Sequence, residues 1–121
     1  MVLPFIASLD YLKELSNFNP NLILPKYSQD IKPSHHLFLI NINFKKLRKN
    51  KDDFMRYLIK NKIMAQFHYI PIYKFSIYKE KKIKLSGAEK YFSNTISIPI
   101  FVNLKNKEQK KIIKLIKKFF S

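Results

Sequence analysis

The sequence predicts an α/β fold of the α+β type, with a three-stranded, mostly antiparallel sheet covered mainly on one face by helices. Three observations predict it. The alternating stretch from His35 to Phe44 sets Phe38, Ile40, Ile42 and Phe44 on one side of a strand, while Leu37 and Leu39 make the other side partly apolar. Near the C-terminal end, Ile112, Ile113, Ile116, Phe119 and Phe120 recur at helical spacing as a buried stripe. The elements read in the order helix, strand, helix, strand, helix, strand, helix, with connections short enough for one compact unit, antiparallel or mixed in its pairing.

The first helix is predicted over 4–16, with Pro4 in its first turn and Ile6, Leu9, Tyr11, Leu12 and Leu15 as the inward residues. The segment 22–34, with Pro25 and Pro33 among polar residues, reads as a short extended piece and a connector, and a short edge strand fits there. His35 and His36 are expected in the strand that follows, flanking the core. Asn50 can cap a helix that carries Asp52 and Asp53 in its first turn, favourable at the positive end of the helix dipole, with Phe54, Tyr57 and Leu58 facing inward. A second strand is predicted over Ile63 to Ile70 and ended by Pro71. A loop with a short helical turn and a lysine cluster at 79–84 leads to a helix opened by Ser86, and Thr95 to Ile98 form the third strand, stopped by Pro99. Asn106 and Gln109 have the spacing of a capping box for the last helix.

Composition narrows the function. The chain has 121 residues, the range of one domain, and its 46% hydrophobic and 15% aromatic content is that of a packed protein, not of a basic tail. There is no cysteine, which excludes disulfides and thiolate metal sites, and the three histidines, His35, His36 and His68, match no metal spacing. The apolar start, Met1 to Ala7, meets Asp10, Lys13 and Glu14 too soon for a signal or spanning segment, so neither is expected. A net charge of +16 suggests nucleic acid or an anionic surface as a partner. Against that, only Arg48 and Arg56 of the 24 basic residues are arginine, the side chain best suited to bidentate contacts.

Three stretches, in this order, resemble the DegT/DnrJ/EryC1/StrS sugar aminotransferases. They are Ser34 to Ile40, Ile63 to Tyr73 with its Phe67-His68-Tyr69-Ile70-Pro71 run, and Gly87 to Phe101 followed by Leu104, Glu108 and Gln109. The resemblance implies the C-terminal small domain (22–121) of a fold-type I transferase that uses pyridoxal phosphate, with 1–21 as a helix linking from a large domain. It further implies a cytoplasmic homodimer when full length, acting on a 4-keto nucleotide sugar in surface-glycan or nonulosonic acid biosynthesis. The Gln66 to Lys74 stretch looks most like the branch leading to pseudaminic acid. Asn61-Lys62 stands where the family often has glycine, and Lys74 where histidine is frequent.

In that family the cofactor is held as a Schiff base by a lysine in a short serine- and histidine-containing motif, and no stretch of this chain matches it. No catalytic residue is therefore assigned, no covalently held cofactor is expected, and the chain alone is expected to be inactive. The substrate-binding candidates are His68 and Tyr69, with Tyr73, Lys74 and Tyr78 along the nucleotide or diphosphate side. Asp52, Asp53, Glu89 and Glu108 are explained by first-turn positions in helices, and Tyr91 and Phe92 as core or interface aromatics. Two rival readings stand beside this one: a small basic module binding nucleic acid or an anionic surface, and a remnant of a broken gene. The resemblance also implies exposed apolar surface where a large domain would pack, and low solubility or association with it.

Overall fold

The computed structural model describes residues 4–121, with the side chains of 79–81 excepted; Met1 to Leu3 of the apolar start and half of the lysine cluster thus lie outside the described side chains. Four α-helices and three strands follow one another as α1 (Pro4–Leu15), β1 (Leu22–Ile23), β2 (Phe38–Ile42), α2 (Lys51–Lys60), α3 (Ser86–Asn94), β3 (Thr95–Ile98) and α4 (Asn106–Phe120). Two 3-10 turns, Ile72–Lys74 and Ser76–Lys81, separate α2 from α3. The sheet is antiparallel throughout and ordered β1-β2-β3, with Leu22 opposite Ile42 and Phe38 opposite Ile98.

Alternation gives the sheet two unlike faces. Phe38, Ile40 and Ile42 lie beside Ile96 and Ile98, all buried, on the apolar face. The other face carries Asn41, Thr95 and Ser97, and there Asn41 Nδ2 donates to Thr95 Oγ1 at 3.0 Å. Against the apolar face, Phe54 of α2 and Phe119 and Phe120 of α4 form an aromatic cluster with Phe44, the Phe54 and Phe120 centroids 4.8 Å apart. Burying one such side chain contributes about 2 kcal/mol or more, so this cluster anchors the fold. α1 is pinned by two contacts far apart in sequence: Tyr11 donates its hydroxyl to the Pro99 carbonyl at 2.7 Å, and Gln109 Nε2 donates to the Ala7 carbonyl at 2.6 Å.

The α2 cap is as the sequence predicts. Asn50 Oδ1 accepts the backbone N–H groups of Asp52 and Asp53 at 2.8 and 3.2 Å. At the far end Lys62 takes a φ of 61°, the left-handed region that favours glycine, in the position where the resembling family often has one.

Five expectations need correction. The strand at 35–44 is shorter, because His35 has a φ of 52° and breaks the extended backbone; His35 instead packs edge-on against Phe5 and Tyr27, and His36 bonds Ser34. In α1, Ile6 and Leu9 point to solvent, and the buried set is Ala7, Ser8, Tyr11 and Leu15. The α3 N-cap is Leu85, with no side-chain bond, instead of Ser86. At α4 the N-cap is Lys105, whose N–H donates to the Glu108 carboxylate at 2.9 Å; Gln109 is buried and turned to α1. The largest correction concerns 63–70, which forms one bridge, Gln66 opposite Ser97, and no strand. The next hydrogen-bonded pairs would set residue 64 opposite Pro99, which has no N–H, and residue 68 opposite Thr95, whose N–H already donates to the Tyr91 carbonyl. The third strand of the sheet is β1.

Many large apolar side chains are exposed, Phe5, Leu9, Met64, Ile72 and Ile77 among them. Among the described residues, no helix is long and apolar enough to cross a membrane.

Candidate functional site

Four of the five predicted site residues fall at two places. The first is the chain just after the Gln66 bridge. Gln66 and Ser97 exchange both backbone bonds, at 3.0 and 2.7 Å, and this holds the start of the Phe67 to Pro71 segment against β3. His68 is half-buried, its Nδ1 3.2 Å from Ser97 Oγ, and its ring stands edge-on to Tyr69 with centroids 4.6 Å apart. Tyr69 is 73% exposed and extends outward from the fold. An imidazole held at one nitrogen and a free phenol form an adjacent pair of hydrogen-bonding groups at the surface.

The second place is built by the first 3-10 turn and α3. Tyr73 donates its hydroxyl to Glu89 Oε1 at 3.0 Å and accepts the N–H of Leu85 at 3.3 Å. Lys74 Nζ lies 2.6 Å from Glu89 Oε2. Glu89 was explained from sequence as a first-turn residue alone; in addition it joins Tyr73 and Lys74. The hydrogen bond from Lys74, then that from Tyr73, holds its carboxyl below the ordinary carboxylate range. Lys74 also sits over the Phe92 ring, 5.6 Å from its centroid.

Lys51, at the start of α2, approaches the same ring at 4.3 Å and Phe67 at 5.3 Å, and donates to the Phe92 carbonyl. Burial pushes its amine below the ordinary lysine value, with Asp52 opposing. Lys51, Lys74, Phe67 and Phe92 line an open cleft of about 610 Å³. Phe92 is thus a platform for two cations. Tyr78 joins neither place through a side-chain bond among the described residues; its N–H closes a turn onto Phe75. Sequence reasoning missed Ser97, Lys51 and Phe67. Their partners are 16 to 41 residues away in the chain, and no local pattern marks them.

The cofactor that the resemblance implies, pyridoxal phosphate, needs a lysine amine free to form a Schiff base. Among the described residues Lys51 is the lysine whose amine burial depresses, and that amine is committed to a carbonyl and two ring faces. Lys74 is committed to Glu89. Neither is a free, desolvated amine of the kind a Schiff base needs, so these residues do not fit a self-sufficient pyridoxal phosphate site. Among the described residues there is also no group of three side chains able to hold a metal.

The chain is similar to known proteins along most of its length. The chain is 30% identical over 112 residues to the UDP-4-amino-4,6-dideoxy-N-acetyl-beta-L-altrosamine transaminase of Campylobacter jejuni, matching 85% of this chain and 30% of that protein. It is 28% identical over 115 residues to an uncharacterized protein of Methanocaldococcus jannaschii, 92% of this chain and 30% of that one. Among solved structures, Helicobacter pylori PseC, an aminotransferase of pseudaminic acid biosynthesis, superposes with a TM-score of 0.86 at 28% identity, over 97% of this chain and 32% of its own. The chain thus spans about a third of the length of these relatives. The model of the DegT/DnrJ/EryC1/StrS aminotransferase family matches residues 7–117, and the chain belongs to that family.

Proposed function

We propose that the chain supplies the C-terminal small-domain share of a nucleotide-sugar aminotransferase, with 22–121 as that domain and 1–21 as the link from a large domain. Pyridoxal phosphate is the cofactor of the family, and it supplies the amino-transfer chemistry when bound. The chain's own contribution is to close and shape the substrate cleft. His68 and Tyr69 offer hydrogen bonds to the sugar. Lys74 and Lys51 present cations beside two aromatic rings, suited to the diphosphate side, and Tyr73 stiffens that side through Glu89. Tyr78 is kept as a more distant lining residue. The substrate is a 4-keto sugar nucleotide of the pseudaminic acid branch, a reading supported by the two relatives whose names refer to altrosamine and pseudaminic acid. The whole enzyme is a homodimer in the cytoplasm, and the isolated chain has no transaminase activity.

The observation that carries this reading is that 97% of the chain follows the fold of one aminotransferase while covering 32% of it. The test is a titration of the chain with a UDP-linked N-acetylated amino sugar, followed by nuclear magnetic resonance. Shifts at His68, Tyr69 and Lys74 are expected, and shifts confined to the α4 lysines would refute it. In parallel, incubation with pyridoxal phosphate and an amino donor is expected to give neither a lysine-bound absorbance band nor turnover; either signal would overturn the assignment of the chemistry to residues outside this chain.

A further inference from the structure

We infer that Ser97 fixes the tautomer of His68, keeping hydrogen on Nδ1 and leaving Nε2 as the nitrogen that meets a ligand. The inference rests on the reading of His68 as a substrate contact and adds to it a positioning residue 29 positions away. Ser97 is almost wholly buried, at 5% exposed. Its hydroxyl lies 3.3 Å from the Gln66 carbonyl oxygen and 3.2 Å from His68 Nδ1. A serine hydroxyl has one hydrogen to donate, and a carbonyl oxygen can only accept. Both contacts are hydrogen bonds in one arrangement alone: the hydroxyl donates to Gln66, and its lone pair accepts Nδ1–H from His68. In the reverse arrangement the hydroxyl donates to Nδ1, and two oxygens face each other at 3.3 Å with no hydrogen between them.

The acceptor end of this chain cannot swing away. Gln66 is locked to Ser97 by both backbone bonds of the bridge, and the Tyr69 ring stands against the imidazole on the other side. Nε2 makes no hydrogen bond among the described residues and is not among their buried polar atoms lacking a partner, so on half-buried His68 it keeps some exposed surface. The consequence is directional. Neutral His68 is an acceptor at Nε2, suited to a sugar hydroxyl or an N-acetyl amide N–H. When protonated it becomes a donor at the same atom, while Nδ1–H stays as it was. Any proton His68 exchanges with a ligand therefore passes through Nε2.

The test is a two-bond proton–nitrogen correlation spectrum of the 121-residue chain labelled with nitrogen-15 histidine, at a pH where His68 is neutral. The Nδ1–H pattern is expected for His68 in the wild type and in Ser97→Thr, which keeps the hydroxyl. Ser97→Ala is expected to lose it and move to the Nε2–H form that free imidazole side chains favour. An Nε2–H pattern in the wild type would sink the inference whether or not the alanine variant folds. An unchanged Nδ1–H pattern in a folded Ser97→Ala protein would do the same. Adding UDP-N-acetylglucosamine separates the two readings. An Nδ1–H pattern in which His68 ignores the sugar supports the positioning by Ser97 and removes the substrate contact.

Discussion

Tyr11→Phe tests how α1 is held to the body of the domain. The tyrosine is fully buried, and phenylalanine keeps its ring against Phe38, 5.0 Å between centroids, so the apolar burial is unchanged. What is removed is the 2.7 Å hydrogen bond to the Pro99 carbonyl. Such a bond contributes about 1 kcal/mol net, and half-buried Pro99 recovers part of it from water, so a loss of about 1 kcal/mol is expected at neutral pH. With an unfolding entropy of about 2 cal/mol/K per residue over this length, Tm falls by about 4 °C. The pH dependence sharpens the test. Burial pushes the Tyr11 phenol above its ordinary value of 10.0. A raised folded-state pKa means that the stability from the neutral phenol is fully present below about pH 10 and is lost as pH climbs towards the folded value, at about 1.4 kcal/mol per unit. The phenylalanine variant has no such slope from this position, so the wild-type advantage cancels between about pH 10.5 and 11. Urea unfolding of both proteins, followed by circular dichroism from neutral pH to pH 11, measures the difference directly. A constant difference across that range, or a neutral-pH loss above about 3 kcal/mol, would show that the hydroxyl is not the buried donor described.

The remaining predictions concern the site and the helix ends. Hydrogen bonds from Lys74 and Tyr73 lower the Glu89 carboxyl, so the stability it contributes is present above its ordinary value of 4.5 and disappears as pH falls through the depressed one; in Glu89→Gln the acid limb of the melting curve is expected to flatten. Asn50→Ala removes the acceptor of two N–H groups and should lower stability by about 1 kcal/mol in chemical unfolding. Gly87 has nothing within 4 Å of where a Cβ would stand, so Gly87→Ala should raise stability by about 0.5 to 1 kcal/mol in the same assay. Despite the charge of +16, no shift of a nucleic acid band is expected at physiological salt; binding that weakens steeply between two salt concentrations would favour the basic-module reading.

The helices were legible because their signals are local. Asn50, Asp52 and Asp53 are neighbours, and their capping bonds span three residues, so composition and spacing sufficed. The stripe of α4 was legible for the same reason, since Ile112, Ile113 and Ile116 share a face within one turn. β3 was bounded by Pro99, and β2 by its alternation, though the left-handed His35 at its start left no mark in that pattern. What failed to show was pairing. Whether 63–70 forms a strand depends on Pro99 and on a Thr95 N–H already bonded within α3, facts about another segment. β1 is two residues long and exists because Ile42 and Asn41 stand opposite. In the site, Lys74 and Tyr73 could be proposed from their own sequence neighbourhood, but Glu89, Phe92 and Lys51 meet them only after folding. Ser97 is the sharpest case. Within β3 it reads as one small polar residue between two isoleucines, and its alternation places it opposite the apolar core. That placement, and the single bridge at Gln66, turn a serine into the partner of an imidazole. The strand pairing that stops after one residue is therefore also what frees His68 from the sheet and leaves it one fixed nitrogen and one open.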